Sequence, residues 1–219
     1  INMKTYRYLF FDLDGTLVDS ALGIVRSAQY ALSHFGVQVD DIRTLYPFVG
    51  PPLEDSFKEF YHFSTEKARE AVAVYRERYV SVGLYESQRF PGVEECLKTL
   101  KSRGYHLIIA TSKMKYMADT VLKEFGLMPY FEFVGGRDDE GVLHTKADVI
   151  RHILSELDLE AAKADILMIG DRKYDVIGAK EVGLDSMGVL FGYGGREELE
   201  TAGVTYLAES YADLLEQLP

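Results

Sequence analysis

The chain has 219 residues, of which 47% are hydrophobic and 27% are charged, the proportions of an ordinary globular protein with a sizeable core. Its formal net charge is −11, and its 24 basic residues form no block against the 35 acidic ones, which excludes a nucleic-acid polymer as a partner. No apolar run approaches the ~18 residues of a membrane span, so we expect no membrane partner.

Cysteine usage and charge also constrain the compartment and the ligand. No signal-peptide pattern is recognisable at the amino terminus, and the single cysteine, Cys96, excludes an internal disulfide. We therefore expect a cytoplasmic protein. Because an acidic protein repels a small anionic substrate, such a substrate needs a local positive centre: a metal ion, a lysine or a helix amino terminus.

The first predicted element is a buried parallel strand, Tyr8–Phe11, that runs directly into Asp12 and Asp14. The carboxyl end of such a strand is where open α/β sheets bind their ligands. The two acids lie two residues apart, before the turn at Gly15 and Thr16. They could hold one hard cation, or act as a nucleophile and a proton carrier. Taken alone, the segment also fits an acidic, solvated loop.

A purely helical segment is predicted over residues 19–83. Ser20 can cap its first helix, Ser64 can cap its third, and the polar stretch after Gly83 predicts a linker. The predicted domains are a helical one at 18–83 and a discontinuous one at 1–17 with 84–219.

The remainder of the chain alternates between short apolar strands and amphipathic helices. This alternation predicts a Rossmann-like α/β fold, a parallel sheet with helices on both faces, with the helical domain inserted after the first strand. The predicted strands are 106–110, 131–134, 166–169, 186–190 and 205–207. The predicted helices start near residue 92 and continue at 114–125, 146–157, 174–182 and the carboxyl terminus.

Two hydroxyl side chains, Thr111 and Ser112, follow the strand at 106–110, and Lys113 comes next. Both hydroxyls could donate hydrogen bonds to a phosphoryl oxygen, and the helix predicted to start there offers free backbone N–H groups. The alternative is that one of these residues merely caps that helix.

Lys146 lies at the predicted start of a helix, where its positive charge opposes the helix dipole. That position is unfavourable unless an anion lies nearby. The alternative for this segment is a solvated lysine on the surface.

A second pair of acids, Asp171 and Asp175, follows the strand at 166–169. Gly170 permits a tight turn, so that Asp171 can point to the same sheet edge as Asp12. Asp175 lies one helical turn further on, on the adjacent face. Oxygen ligands without a partner His or Cys favour Mg²⁺ over Zn²⁺.

Together these motifs resemble the haloacid dehalogenase-like hydrolases, in their phosphatase branch. They occur in that family's order, as DLDGT at 12–16, IIATS ending at Thr111 and Ser112, Lys146, and GDRKYD with Asp171 and Asp175. The helical segment resembles the mobile α-helical cap of the phosphoglycolate phosphatase-like subgroup. Residues 48–57 resemble the substrate-specificity loop of that subgroup and of related 5′-nucleotidases.

The resemblance implies a two-step hydrolysis of a phosphomonoester. Asp12 would attack phosphorus to form an aspartyl-phosphate, and Asp14 would protonate the leaving oxygen and then activate water. Thr111 and Ser112 would bind phosphoryl oxygens. Lys146 would offset the charge between the nucleophile and the phosphate.

The same resemblance implies Mg²⁺ as the cofactor. The ion would be held by Asp12, the main-chain carbonyl of Asp14 and Asp171, with Asp175 in support. The implied partner is a small phosphorylated metabolite, and both a monomer and a homodimer are compatible with the sequence.

One departure from the family pattern concerns Lys146. Many relatives have a proline directly after this lysine, whereas Ala147 follows it here. Lys113 is therefore a second candidate for the cation near the phosphate, ranked below Lys146.

Other functions of this family are separated by single residues. Asp14 argues against a dehalogenase and a phosphonatase, whereas a β-phosphoglucomutase-like phosphosugar mutase keeps both acids. A non-catalytic phosphate-binding regulatory protein is a further alternative.

For a phosphatase, phosphoglycolate and 5′-nucleotides both fit. Tyr46 and Phe48 could stack on a nucleobase, which favours a nucleotide, or belong to the packing of the helical domain.

Overall fold

The computed structural model of the protein describes residues 4–138 and 141–219. They form two compact units, the first comprising the chain up to Leu17 with 89–219, and the second comprising 18–88. The helical unit ends at 88 rather than at the expected 83. The reason is that a 3-10 turn, Gly83–Glu86, continues it, with Gly83 and Leu84 buried.

Six of the strands in the described residues form one parallel sheet, in the order β5-β4-β1-β6-β7-β8. This confirms the predicted fold class. The strands β2 and β3 pair separately as a two-stranded sheet. The strands are β1 (Tyr8–Phe11), β2 (Val18–Asp19), β3 (Gln88–Arg89), β4 (His106–Met114), β5 (Phe133–Arg137), β6 (Ile166–Gly170), β7 (Asp185–Val189) and β8 (Tyr206–Ala208).

Helices pack around the large sheet and make up most of the second unit. None of them, in the part of the chain that the structure describes, is long and apolar enough to cross a membrane. The α-helices are α1 (Ala21–His34), α2 (Leu53–Tyr61), α3 (Thr65–Ser81), α4 (Val93–Ser102), α5 (Lys115–Glu124), α6 (Lys146–Glu156), α7 (Lys173–Val182), α8 (Gly195–Ala202) and α9 (Tyr211–Gln217).

The central strand β1 pairs in parallel register with β4 and β6. Phe11, its last residue, pairs with Ile109 of β4 and with Ile169 of β6. Phe10 has no solvent exposure and packs in a core cluster with Ile150 of α6. The strand is apolar throughout because both faces of the sheet are covered. The register places the polar residues that come after Phe11, Ile109 and Ile169 at one edge of the sheet.

The helical unit is built on the packing of α1 against α3. As predicted, Ser64 caps α3, its hydroxyl accepting a hydrogen bond from the Lys67 N–H at 3.2 Å. The prediction that 19–83 is wholly helical was wrong at Asp19, which belongs to the strand Val18–Asp19. Phe48 is buried, with its ring edge-on to Phe57 at 5.1 Å between centroids. Phe48 therefore belongs to the packing of this unit.

Replacing Gly23 by Ala is expected to destabilise the helical unit, although alanine is the better helix former. A Cβ at this position would lie 1.9 Å from the carbonyl oxygen of Gly83. The helix-propensity gain is about 1 kcal/mol, whereas overpacking costs about 1–3 kcal/mol. Urea denaturation should show a lower midpoint for Gly23→Ala, while Leu22→Ala, at a partly exposed neighbour, changes it little. A higher midpoint for Gly23→Ala would contradict this packing.

Candidate active site

Three carboxylates from two sequence-distant segments meet at the carboxyl edge of the sheet. Oxygen atoms of Asp12, Asp171 and Asp175, which we call the carboxylate cluster, all lie within 4.8 Å of one another. The Asp12 N–H donates to the Ile169 carbonyl at 2.9 Å, which extends the pairing of β1 with β6 by one residue. Gly170 is required nearby, because a Cβ there would lie 2.2 Å from the Asp175 carboxyl carbon. The sheet thus places the cluster.

Lys146 supplies the positive charge of the cluster. Its ammonium nitrogen lies 2.7 Å from Asp175 Oδ1 and 3.1 Å from Asp12 Oδ1, and it donates to the Ala110 carbonyl at 2.8 Å. The residue is only 5% exposed, so the alternative of a solvated lysine was wrong. Anions do lie nearby, which accounts for a cation at the start of α6.

The close approach of α7 to Lys146 depends on a glycine. A Cβ at Gly178 would lie 2.8 Å from both Cβ and Cγ of Lys146. The amino terminus of α7 is hydrogen-bonded to the carboxylate cluster, because Asp175 Oδ2 accepts a hydrogen bond from the Arg172 N–H at 3.0 Å. Asp175 therefore caps its own helix with one oxygen and pairs with Lys146 through the other.

Burial and mutual repulsion dominate the electrostatics of the cluster. Burial raises the pKa of Asp12 to about 7, and the charge of Asp175 adds to the rise while Lys146 opposes it. Burial and the charges of Asp175 and Asp12 raise the pKa of Asp171 well above its ordinary value. Burial lowers the pKa of Lys146, but its attraction to Asp12 and Asp175 prevails and the net shift is upward. The ammonium therefore stays charged.

The cluster fits a divalent cation. Three buried carboxylates share one ammonium group, which leaves an excess of negative charge in a region of low dielectric constant. Their donors are oxygen atoms, the ligands that Mg²⁺ prefers. Asp12, Asp171 and Asp175 could therefore hold such an ion.

Asp14 is paired with a different lysine. Its Oδ2 accepts a hydrogen bond from the Lys113 ammonium at 2.8 Å, and both side chains are largely buried. Lys113 is thus an ion-pair partner of Asp14, a contact that the sequence analysis did not foresee.

The hydroxyl residues after Ala110 lie in a strand rather than at a helix start. Strand β4 continues to Met114, which pairs with Arg137 past an irregularity in the register, and α5 begins only at Lys115. The helix predicted at 114–125 thus begins one residue later, and its N-cap residue is Met114, so neither Thr111 nor Ser112 caps it. Thr111 is buried and its Oγ1 accepts from the Lys113 N–H at 3.1 Å, whereas Ser112 is half-buried.

Two contacts to Asp171 were missed at the level of sequence. The Thr16 hydroxyl donates to Asp171 Oδ1 at 3.1 Å, and the Tyr193 N–H donates to Asp171 Oδ2 at 2.8 Å. The sequence signal that could have revealed these contacts is the pair of glycines on either side of Tyr193, in the stretch FGYGG at 191–195. A Cβ at Gly192 would lie 2.2 Å from Cβ of Asp171. Glycine often marks such a close backbone approach.

The sequence matches the profile of a family described as haloacid dehalogenase-like hydrolase over residues 9–189. The chain is 39% identical over 213 residues to a 5′-nucleotidase of Pseudomonas aeruginosa, covering 97% of this chain and 96% of that protein. It is 32% identical over 194 residues to a phosphoglycolate phosphatase of Neisseria gonorrhoeae, covering 84% and 80%. The crystal structure of a predicted phosphatase from Clostridium acetobutylicum is similar with a TM-score of 0.95 and 43% identity, covering 98% and 99%.

Replacing Asp171 by Asn is expected to stabilise the metal-free protein. The change removes one of three mutually repelling buried carboxylates and keeps an oxygen that can accept a hydrogen bond. The free energy of unfolding, measured by urea denaturation in EDTA at pH 8, should rise by about 1–2 kcal/mol. Asp40→Asn, which makes the same change at an exposed site, should leave it unchanged. Equal or lower stability of Asp171→Asn would refute the repulsion.

Proposed function

Because the chain belongs to the haloacid dehalogenase-like hydrolase family and is a phosphoric monoester hydrolase, we propose that it hydrolyses small phosphorylated metabolites with Mg²⁺ through an aspartyl-phosphate. The observation that carries the proposal is the position of Asp12. Its carboxylate follows the central strand, belongs to the carboxylate cluster and pairs with a buried lysine. A nucleophile needs such a fixed, water-poor position.

Asp12 acts as the nucleophile in the first step. The Leu13 N–H at 2.8 Å and the Lys146 ammonium at 3.1 Å both hold Asp12 Oδ1. A carboxylate oxygen attacks phosphorus, the bond from phosphorus to the ester oxygen breaks, and a phosphoryl ester of Asp12 forms. The position of the carboxylate is set before the substrate arrives, which lowers the entropic cost of the attack.

Asp14 moves the proton in both steps. It gives a proton to the leaving ester oxygen as the bond to phosphorus breaks. It then takes a proton from the water that attacks the phosphoryl group, the bond to Asp12 breaks, and inorganic phosphate leaves. The ion pair with Lys113 restrains the Asp14 carboxylate and supports the second of these steps, in which Asp14 acts as a base.

The phosphoryl group is bound by Thr111, Ser112 and Lys146. Thr111 directly follows Ala110, whose carbonyl accepts from the Lys146 ammonium at 2.8 Å. The hydroxyls supply donors, and the ammonium group offsets the charge that develops at phosphorus. This local positive charge counters the formal net charge of −11.

The carboxylates of Asp12, Asp171 and Asp175, with the main-chain carbonyl of Asp14, would hold Mg²⁺. When bound, the ion supplies charge neutralisation between the nucleophile and the phosphoryl oxygens. The excess of negative charge in the carboxylate cluster supports this part of the proposal.

The substrate class that we propose first is a 5′-nucleotide, and phosphoglycolate is second. The similarity to the Pseudomonas 5′-nucleotidase spans 97% of the chain, against 84% for the Neisseria phosphoglycolate phosphatase. The helical unit would act as a cap that selects the leaving group. Tyr46 is its candidate for stacking on a base, because it is 45% exposed, whereas Phe48 is buried.

Asp12→Asn should abolish turnover with the fold intact. Loss of the nucleophile is expected to lower kcat by about 10⁴-fold or more, because the amide of Asn is a far weaker nucleophile than a carboxylate. Release of inorganic phosphate from 5′-nucleotides and phosphoglycolate in Mg²⁺ measures it, and circular dichroism reports the fold. Glu124→Gln, at an exposed position, is the matched control.

Three results would count against the proposal or a part of it. Full turnover by Asp12→Asn would rule out the aspartyl-phosphate. Conversion of sugar phosphates to isomers, faster than any release of inorganic phosphate, would replace the phosphatase by a mutase. Wild-type preference for phosphoglycolate over every 5′-nucleotide would reverse the order of the two substrate classes.

A further inference from the structure

We propose that Thr16 and Tyr211 are positioning residues for Asp171 and thereby set the affinity of the site for Mg²⁺. The inference rests on the proposed function only in that Asp171 is taken as a ligand of the ion. It assigns a role to a tyrosine of the last helix, α9, which lies outside the four motifs and outside the family match at residues 9–189.

Both carboxylate oxygens of Asp171 are held by defined donors. The Thr16 hydroxyl donates to Oδ1 at 3.1 Å and the Tyr193 N–H donates to Oδ2 at 2.8 Å. Asp171 itself has no solvent exposure. We call Thr16 and Tyr193 the Asp171 clamp. Partners of this kind orient a metal ligand and tune its affinity.

Glycine backbone closes the space around the same carboxylate. A Cβ at Gly15 would lie 2.3 Å from Asp171 Oδ2, and a Cβ at Gly192 would lie 2.2 Å from Cβ of Asp171. The carboxylate therefore has little room to change its rotamer in either direction. Of the two donors of the clamp, the Thr16 hydroxyl is the one that a substitution can remove.

Tyr211 contacts Thr16 of the clamp directly and packs against the segment that leads to Tyr193. Its hydroxyl donates to the main-chain carbonyl of Thr16 at 2.6 Å. Its ring packs on Phe191, two residues before Tyr193, with 4.7 Å between the centroids. Because the hydrogen bond fixes the backbone that carries the Thr16 hydroxyl, the effect of Tyr211 on Asp171 passes through Thr16.

If these contacts had only a structural role, substitutions would change the stability of the protein but not its affinity for Mg²⁺. If Tyr211 only attached α9 to the sheet, its hydroxyl would contribute to the stability of the fold and not to metal binding. The affinity for Mg²⁺, measured without substrate or turnover, separates the two roles.

The experiment is titration calorimetry of Mg²⁺ into four proteins: wild type, Thr16→Val, Tyr211→Phe and the double variant. Thr16→Val should raise the dissociation constant about tenfold. Tyr211→Phe should raise it about threefold, the effect of weakening one hydrogen bond. In the Thr16→Val background, Tyr211→Phe should add nothing, because its route to Asp171 is already broken.

Two further variants serve as controls. Thr16→Ser keeps the hydroxyl and should show wild-type affinity. If Thr16→Val does not fold, Tyr211→Phe alone tests the proposal, because unchanged affinity in that variant overturns it. Tyr105→Phe removes another tyrosine hydroxyl that donates to a backbone carbonyl, that of Pro219 at 3.2 Å. It should leave the affinity for Mg²⁺ unchanged.

Several results would overturn the inference. Unchanged affinity in Tyr211→Phe together with a lower unfolding temperature would make the contact structural only. Independent, additive effects in the double variant would remove Thr16 from the route. If wild type binds no Mg²⁺ at all, the metal step of the proposed function fails first and this inference fails with it; if wild type binds and the variants bind equally, only this inference fails.

Discussion

The site depends on the burial of three carboxylates around one lysine. Taking each charge out of water costs several kcal/mol, and Lys146 compensates only part of that cost for Asp12 and Asp175. The part of the cost that Lys146 does not compensate is seen in the raised pKa values of Asp12 and Asp171. A folded protein retains such an arrangement at the expense of stability, which is typical of catalytic sites.

The fold makes this arrangement possible by pairing β1 in parallel register with its neighbours, so that polar residues of three segments lie at one level of the sheet. Asp12 and Asp171 follow neighbouring parallel strands, β1 and β6, so their proximity is a consequence of the register. Glycines then remove the atoms that would keep the segments apart, with Gly170 beside Asp175 and Gly178 beside Lys146. The carboxylates are held by a rigid scaffold, as positioning for phosphoryl transfer requires.

Sequence reasoning succeeded where the signal was local and failed where a contact joined distant segments. The apolar run before Asp12 is a local pattern, and it predicted both a buried strand and a site. Lys146 could be interpreted from its own segment as a solvated residue, because its partners Asp12 and Asp175 come from other parts of the chain. The contact from Tyr211 to the backbone of Thr16 leaves no periodicity or motif that could reveal it.

Anomalous diffraction from crystals soaked in Mn²⁺, which shares the oxygen preference of Mg²⁺, tests the central claim most directly. The account predicts one strong anomalous peak bounded by the carboxylates of Asp12 and Asp171, with Asp175 beside it. Crystals that bind Mn²⁺ only elsewhere, or that leave the carboxylate cluster without a peak at saturating Mn²⁺, would contradict it.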